Sequence, residues 1–328
     1  MIHFYQKQEI EALVKFRKGE VKLGEQIKII QSLEELEELE DYHIIFGIPE
    51  DIGIRANYGK PGAKQTWHHF LEAFLNIQHN EFNPTEKIAI LGYLDCHNQQ
   101  TKAEEITLTR EEDYIQLGKL VEEVDAMLTQ VVQKIKEEGH FPIAIGGGHN
   151  NALGMIQGCF LANERKVNVL NVDAHTDLRT TDYRHSGNGF SYAIEKGFLN
   201  YYYMFGIHKN YTPQYILQRI NQSKNIDFNL FEDLVHLSSM DLLVKMKNAV
   251  NFLKNDFGLE IDCDAIANFS ASAITPSGFS LNNVRSFMKL ARKVELQYIH
   301  ICEADASRDP QVGKSLSYLV SDFLRRDT

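Results

Sequence analysis

Eight short apolar runs, separated by helical patterns or polar segments, constrain this chain more than any other feature. They are HIIFGI (43–48), KIAILGYL (87–94), FPIAIG (141–146), VNVLNVD (167–173), YYYMFGI (201–207), IDFNL (226–230), LEIDCD (259–264) and YIHICEA (298–304). Apart from IDFNL they do not alternate strictly between apolar and polar residues, as suits strands buried on both faces. Between them, Leu120, Val121, Val124, Met127, Leu128, Val131 and Ile135 recur at three and four and stop at Gly139, as a helix with a glycine stop does. Trp67, Phe70, Leu71 and Phe74 predict a second helix, and Val284, Phe287, Met288 and Ala291 a third. Strand and helix in alternation imply right-handed crossovers into a mostly parallel sheet covered by helices.

A chain of 328 residues can form two domains or one large one. The seven prolines are scattered and no Pro- or Ser-rich linker intervenes, which predicts one α/β domain over 43–328 behind an extension over 1–42. In that extension Leu33, Leu36 and Leu39 sit among carboxylates and predict an amphipathic helix with a solvated acidic face. The polar stretch 95–113 reads as the longest loop, a lid or an insertion.

The formal charge of −11 and the lack of any long basic run argue against a nucleic-acid partner. The N-terminal segment reads as neither a signal peptide nor a membrane span, because charges run through it. Cys96, Cys159, Cys263 and Cys302 are dispersed, so neither a zinc ribbon nor a disulfide framework is expected, and a reducing cytoplasm fits.

In parallel α/β sheets ligands bind beyond the carboxyl ends of the strands. One run ends in Gly146, Gly147, Gly148 and His149, a second in Asp173, Ala174, His175, Thr176 and Asp177, and a third in Asp262, Cys263 and Asp264. Singly, each has a plain explanation as a turn or helix cap. Together they aim four carboxylates and two imidazoles at one edge. Crowded carboxylates repel unless a cation sits among them. The oxygen-rich donor set exceeds one tetrahedral zinc and suits a pair of Mn2+-like ions with a bridging water as nucleophile.

The series GGGH, NVDAHTDLR and EIDCD, in this order, resembles the arginase-like ureohydrolase family over about residues 47–309. The resemblance implies a three-layer α/β/α domain with an eight-stranded, mostly parallel sheet, two Mn2+ per chain and a homo-oligomer. It assigns His149 and Asp177 to one metal, His175 and Asp264 to the other, and Asp173 and Asp262 as bridges that hold the hydroxide. Within the family, GIPEDIGIRANYGKPGA and the histidine after three glycines resemble the formimidoylglutamase branch.

By the same resemblance, Ser186 and Asn188 line the substrate pocket and Glu303 is a carboxylate behind the site. His185 is a candidate proton shuttle, against the plainer reading of a loop histidine without a role. His208, Lys209 and Asn210 follow another strand end and face the substrate on the functional reading. Arg55, Asn57 and Arg179 complete the expected substrate contacts. Phe190 and Asn283 stand where arginases have a histidine and a guanidinium-binding glutamate, which argues against arginine. The expected reaction is hydrolysis of N-formimino-L-glutamate to L-glutamate and formamide, in histidine breakdown. The alternatives are an agmatinase or another guanidino-acid hydrolase, and, in a different class, a catalytically silent binding protein.

Overall fold

The computed structural model describes residues 1–254 and 256–325. The last three residues of the predicted 43–328 domain lie outside the described residues.

Ten strands form one sheet: β1 (Ile2–His3), β2 (Lys28–Ile29), β3 (His43–Gly47), β4 (Ile88–Leu94), β5 (Phe141–Ile145), β6 (Val167–Val172), β7 (Leu199–Ile207), β8 (Ile226–Leu230), β9 (Phe257–Asp262) and β10 (Leu296–Cys302). Their spatial order is β1-β4-β3-β5-β10-β9-β6-β7-β8, with β2 also pairing with β4. The eight predicted strands are all present as β3 to β10, and every pairing among them is parallel. The expected count of eight is exceeded because the first 42 residues add β1, antiparallel on β4, and β2, parallel to it.

Burial on both faces explains the unbroken apolar runs. Every residue of β6 and of β9 is buried. Alternate side chains enter two cores: Ile45, Leu170, Val172 and Phe205 pack on one side. Ile44, Phe46, Val169 and Met204 pack on the other. Helices Thr66–Leu75 and Gln311–Leu324 cover the first face and pack against each other. The long helix Glu111–Glu137 lies in the second layer, burying Leu117, Val121, Val124, Leu128 and Val131 along one stripe.

Two local expectations fail. The repeat around Leu33 and Leu36 forms a short 3-10 helix, Glu34–Glu38, because adjacent carboxylates in so short a segment favour no longer helix. The stretch 95–113 contains helix His97–Glu105 and the start of the long helix, so its longest irregular run is 106–110. All four cysteines are buried and free. No helix among the described residues is long and apolar enough to cross a membrane.

The topology also sets where a site can form. Strands β5, β10, β9 and β6 are consecutive across the middle of the sheet. Their carboxyl ends, which carry His149, Glu303, Asp262 and Asp173, therefore meet at a point where the order of connections reverses.

Candidate metal centre

The segment Gly146–Gly147–Gly148 turns sharply after β5, with φ of +95° and +72° at the first two residues. A Cβ at Gly147 would stand 2.3 Å from Asn151 Nδ2 and 3.0 Å from Glu50 Oε1, so glycine is required there on two counts. The turn is held by Glu50, whose carboxylate accepts from Gly148 N at 3.0 Å and Asn151 Nδ2 at 2.6 Å. Glu303, at the end of β10, accepts from His149 N at 2.7 Å. His149 is thereby held beside Asp177 and Asp262 with its ring buried.

Around His149 Nδ1 lie Asp177 Oδ2 at 2.9 Å, Asp262 Oδ2 at 3.0 Å and Asp173 Oδ2 at 3.3 Å. Donor atoms of these four residues all fall within 4.8 Å of one another. The remaining expected pair adjoins through Asp173: His175 Nδ1 is 3.6 Å from Asp173 Oδ1 and 3.8 Å from Asp264 Oδ2. Asp173 thus stands between the two imidazoles, where a bridging ligand is needed. Its carboxylate is aimed by Asn171 Nδ2 at 2.9 Å and by the amide of His175 at 2.7 Å.

The electrostatics favour a cation. Burial and the nearby Asp173 charge push Asp262 up to about 6 and raise Asp177 as well. Burial, Asp262 and Glu303 raise Asp264 well above the usual carboxylate range. Burial opposes ionisation of Asp173 too, but His149 and His175 outweigh it and hold that carboxyl low. One carboxylate is ionised at the expense of its neighbours, and divalent charge among them relieves the conflict. Asp177 and Glu303 also adopt left-handed backbone, φ +49° and +61°, a strain that clusters at functional sites. The donor set, buried and oxygen-rich with two imidazoles, fits Mn2+-type ions.

The arginase family model matches residues 42–324. The chain belongs to the arginase family. Among curated members, formimidoylglutamase of Macrococcus caseolyticus is 25% identical over 222 residues, covering 64% of this chain and 62% of that protein. The Legionella pneumophila (strain Paris) formimidoylglutamase is 28% identical over 227 residues, 65% of this chain and 61% of its own. The matches therefore span about three-fifths of these relatives. Among solved structures, Trypanosoma cruzi formiminoglutamase with Mn2+ superposes with a TM-score of 0.74 at 18% identity, covering 93% of this chain and 97% of that one. Bacillus subtilis formimidoylglutamase gives 0.74 at 14% identity, covering 94% and 93%. Those two likenesses establish the arginase fold.

In this arginase-family chain the cleft above the metal centre has a volume of about 290 Å3. Asn57, Arg179, Ser186 and Glu303 line it together with His175, Asp177, Asp262 and Asp264. Asn57 Nδ2 donates to Ser186 Oγ at 3.1 Å, fixing both at its wall. Several expected contacts lie elsewhere. Arg55 turns away and donates to Ile106 O at 3.2 Å. Asn188 is fully buried and binds Arg184 and the carbonyls of Thr180 and Tyr183. His208 stacks on Phe231 with ring centroids 4.7 Å apart. Lys209 faces Asp233 at 3.7 Å, and Asn210 belongs to an exposed turn.

Asn283 caps the helix Leu281–Ala291 through Ser280 and lines a different cavity, beside Phe231 and Ser277. Besides the aspartates of the candidate metal centre, the carboxylate that lines the cleft is Glu303, and burial with the Asp262 charge pushes it up to about 8. Phe190 is buried against the edge of His149, with centroids 5.1 Å apart, and so packs a ligand rather than facing substrate.

His185 is buried, and its Nδ1 accepts from Gly187 N at 3.1 Å. Burial and the cations Arg184 and Arg179 push it down to about 3, so a neutral ring that fixes its loop replaces the expected proton shuttle. Sequence reasoning missed Glu50, Tyr58, Tyr211 and Ser272. The last three line the cleft, as does Lys60 of the Gly-rich segment.

Proposed function

We propose that the chain is a hydrolase of C–N bonds in linear amidines. N-formimino-L-glutamate would be cleaved with water to L-glutamate and formamide, with two Mn2+ held by His149, Asp173, His175, Asp177, Asp262 and Asp264. One observation carries this reading: a buried cluster of carboxylates and imidazoles forms the floor of a cleft whose rim presents Lys60 and Arg179. Among the described residues neither Lys60 nor Arg179 forms an ion pair with a carboxylate, so both are available to an anionic substrate.

When bound, the ions supply Lewis acidity that activates a water near neutral pH. The chain's own residues do the rest. Glu303 faces the amidine and accepts its N–H groups, and a cationic amidinium there favours the ionised carboxylate. Ser272 Oγ donates to Glu303 and orients it. Asn57 and Ser186 hold the substrate's polar backbone against the wall, and Arg179 and Lys60 neutralise its carboxylates.

The test compares kcat/KM for N-formimino-L-glutamate, arginine and agmatine on one Mn2+-loaded preparation, with formamide, urea and ammonia measured as products. Formamide release with the formimino acid preferred by at least about a hundredfold is expected, since each lost charge-assisted contact costs up to roughly 3 kcal/mol. Preference for either guanidino compound would overturn the substrate assignment.

A further inference from the structure

A cavity of about 840 Å3 lies at the end of β4 and shares no lining residue with the cleft above the metal centre. Its position relative to the family is informative. One wall consists of His3, Tyr5, Glu9 and Leu13, which precede the segment matched by the arginase family model. That wall is held in place because β1 pairs antiparallel with β4, setting His3 opposite Tyr93. Residues before the family match therefore build one wall of the chamber.

The chamber's chemistry is specific. Its rings interlock: His3 stacks on Tyr93 with centroids 4.6 Å apart, and Tyr5 meets both edge-on at 5.6 and 5.7 Å. The indole of Trp67 donates to the Tyr5 hydroxyl at 2.9 Å. Three carboxylates, Glu9, Asp95 and Glu104, face one ammonium, Lys64, which pairs with Glu104. Glu9 and Asp95, neither of which has a Lys or Arg partner within 4 Å among the described residues, stand beside the aromatic wall, Glu9 3.7 Å from the imidazole of His3. Among the described residues, no three of the cavity's carboxylate, imidazole or thiol donors converge within 4.8 Å, so it is not built to chelate a metal ion.

We propose that this cavity is a second ligand site that takes a small organic cation, an ammonium or quaternary ammonium centre carried on an apolar body. Aromatic rings and carboxylates at the cavity's edge attract such a centre together, and the volume is that of a small-molecule pocket. Glu9 and Asp95 provide the charge, and Tyr5, Trp67 and Tyr93 the apolar and quadrupolar contacts.

The test is direct because Trp67 is the only tryptophan of the chain. Its fluorescence is followed while choline chloride is titrated into the full-length protein, with sodium chloride matching ionic strength. A parallel titration uses 3,3-dimethylbutan-1-ol, which has the same shape without the charge. A saturable change with choline at a millimolar Kd or tighter is expected, at least about tenfold stronger than with the alcohol. Asp95→Asn, at an exposed position that leaves the fold intact by circular dichroism, should weaken choline binding several-fold. Tyr93→Leu should do the same. Equal response to the alcohol, absence of a saturable change, or unweakened binding in both variants overturns the proposal. A Trp67 signal that depends on protein concentration without ligand does so too, since the chamber would then be covered by a second copy.

Discussion

Arg184 is the largest fully buried side chain of the protein, at 1% exposure, and all five of its N–H donors find acceptors. Nε and Nη2 reach Asp125 Oδ2 and Oδ1 at 2.8 and 3.2 Å, Nη2 also reaches Asn150 O at 2.8 Å, and Nη1 reaches His185 O at 3.2 Å and Asn188 Oδ1 at 2.6 Å. One guanidinium thus ties the long helix to the cleft loop and to the turn after His149. Asp125→Ala removes its only counter-ion and leaves a desolvated charge with two open donors. A broken buried pair of this kind costs about 3–5 kcal/mol. For 328 residues, with an unfolding entropy of roughly 2.1 cal/mol/K per residue, that is a fall in Tm of about 4–7 °C. The assay is urea unfolding followed by far-UV circular dichroism, with Asp125→Asn in parallel. The asparagine keeps one acceptor oxygen and should lose roughly half as much. A loss under about 1 kcal/mol for Asp125→Ala would refute the reasoning, because it would mean that water or a rearranged side chain readily solvates Arg184.

Three further outcomes are expected. Asp173→Asn should abolish high-affinity Mn2+ binding by elemental analysis after gel filtration, because Asp173 lies between His149 and His175, whereas His175→Asn should spare part of it; full occupancy in Asp173→Asn would count against the bridging role. Gly147→Ala should destabilise by more than Gly139→Ala in thermal unfolding: both have positive φ, worth about 1–2 kcal/mol, but a Cβ at Gly139 meets nothing while one at Gly147 strikes Asn151. Stability should also fall on mild acidification through His185. Its folded pKa of about 3 lies below the ordinary 6.5, so the unfolded chain binds the extra proton and the contribution, complete above pH 6.5, is lost progressively as pH falls toward 3. In His185→Gln the urea midpoint should decline less steeply between pH 6.5 and 4, and an unchanged slope would contradict the assignment.

The strands and the candidate metal donors were legible because they obey local rules. A strand buried on both faces is mostly apolar, and all eight runs became β3 to β10 within two residues at each end, the alternating β8 lying at the sheet's edge. Asp173, His175 and Asp177 are close in sequence, so their convergence needs only the end of one strand. What brings His149 and Asp262 to them is the order β5-β10-β9-β6, which no local pattern encodes. The N-terminal strands were illegible for a different reason. Two-residue pairings such as Ile2–His3 carry no periodicity, and they exist only because β4 offers an edge. The substrate wall was read least well. Arg55, Asn188, His208 and Asn283 follow strand ends or motif positions in sequence, yet each side chain is committed to a structural partner instead.

The displacement of Asn283 from the cleft changes why arginine is expected to be a poor substrate. A neutral amide at that position has no bearing on recognition, since it caps a helix beside another cavity. The carboxylate needed to hold a cationic head is present as Glu303, and an amidinium and a guanidinium can both use it. Discrimination must therefore come from the opposite end of the substrate. Formiminoglutamate carries two carboxylates, arginine carries one carboxylate with an ammonium, and agmatine carries no carboxylate at all. Lys60 and Arg179 at the rim favour these in that order. Charge reversal separates this account from one based on the head group. Lys60→Glu with Arg179→Glu should reduce kcat/KM for the formimino acid steeply while leaving agmatine unchanged or improved. If agmatine falls in parallel, the rim is not what selects the substrate, and selection returns to the part of the cleft lined by Glu303 and Ser272.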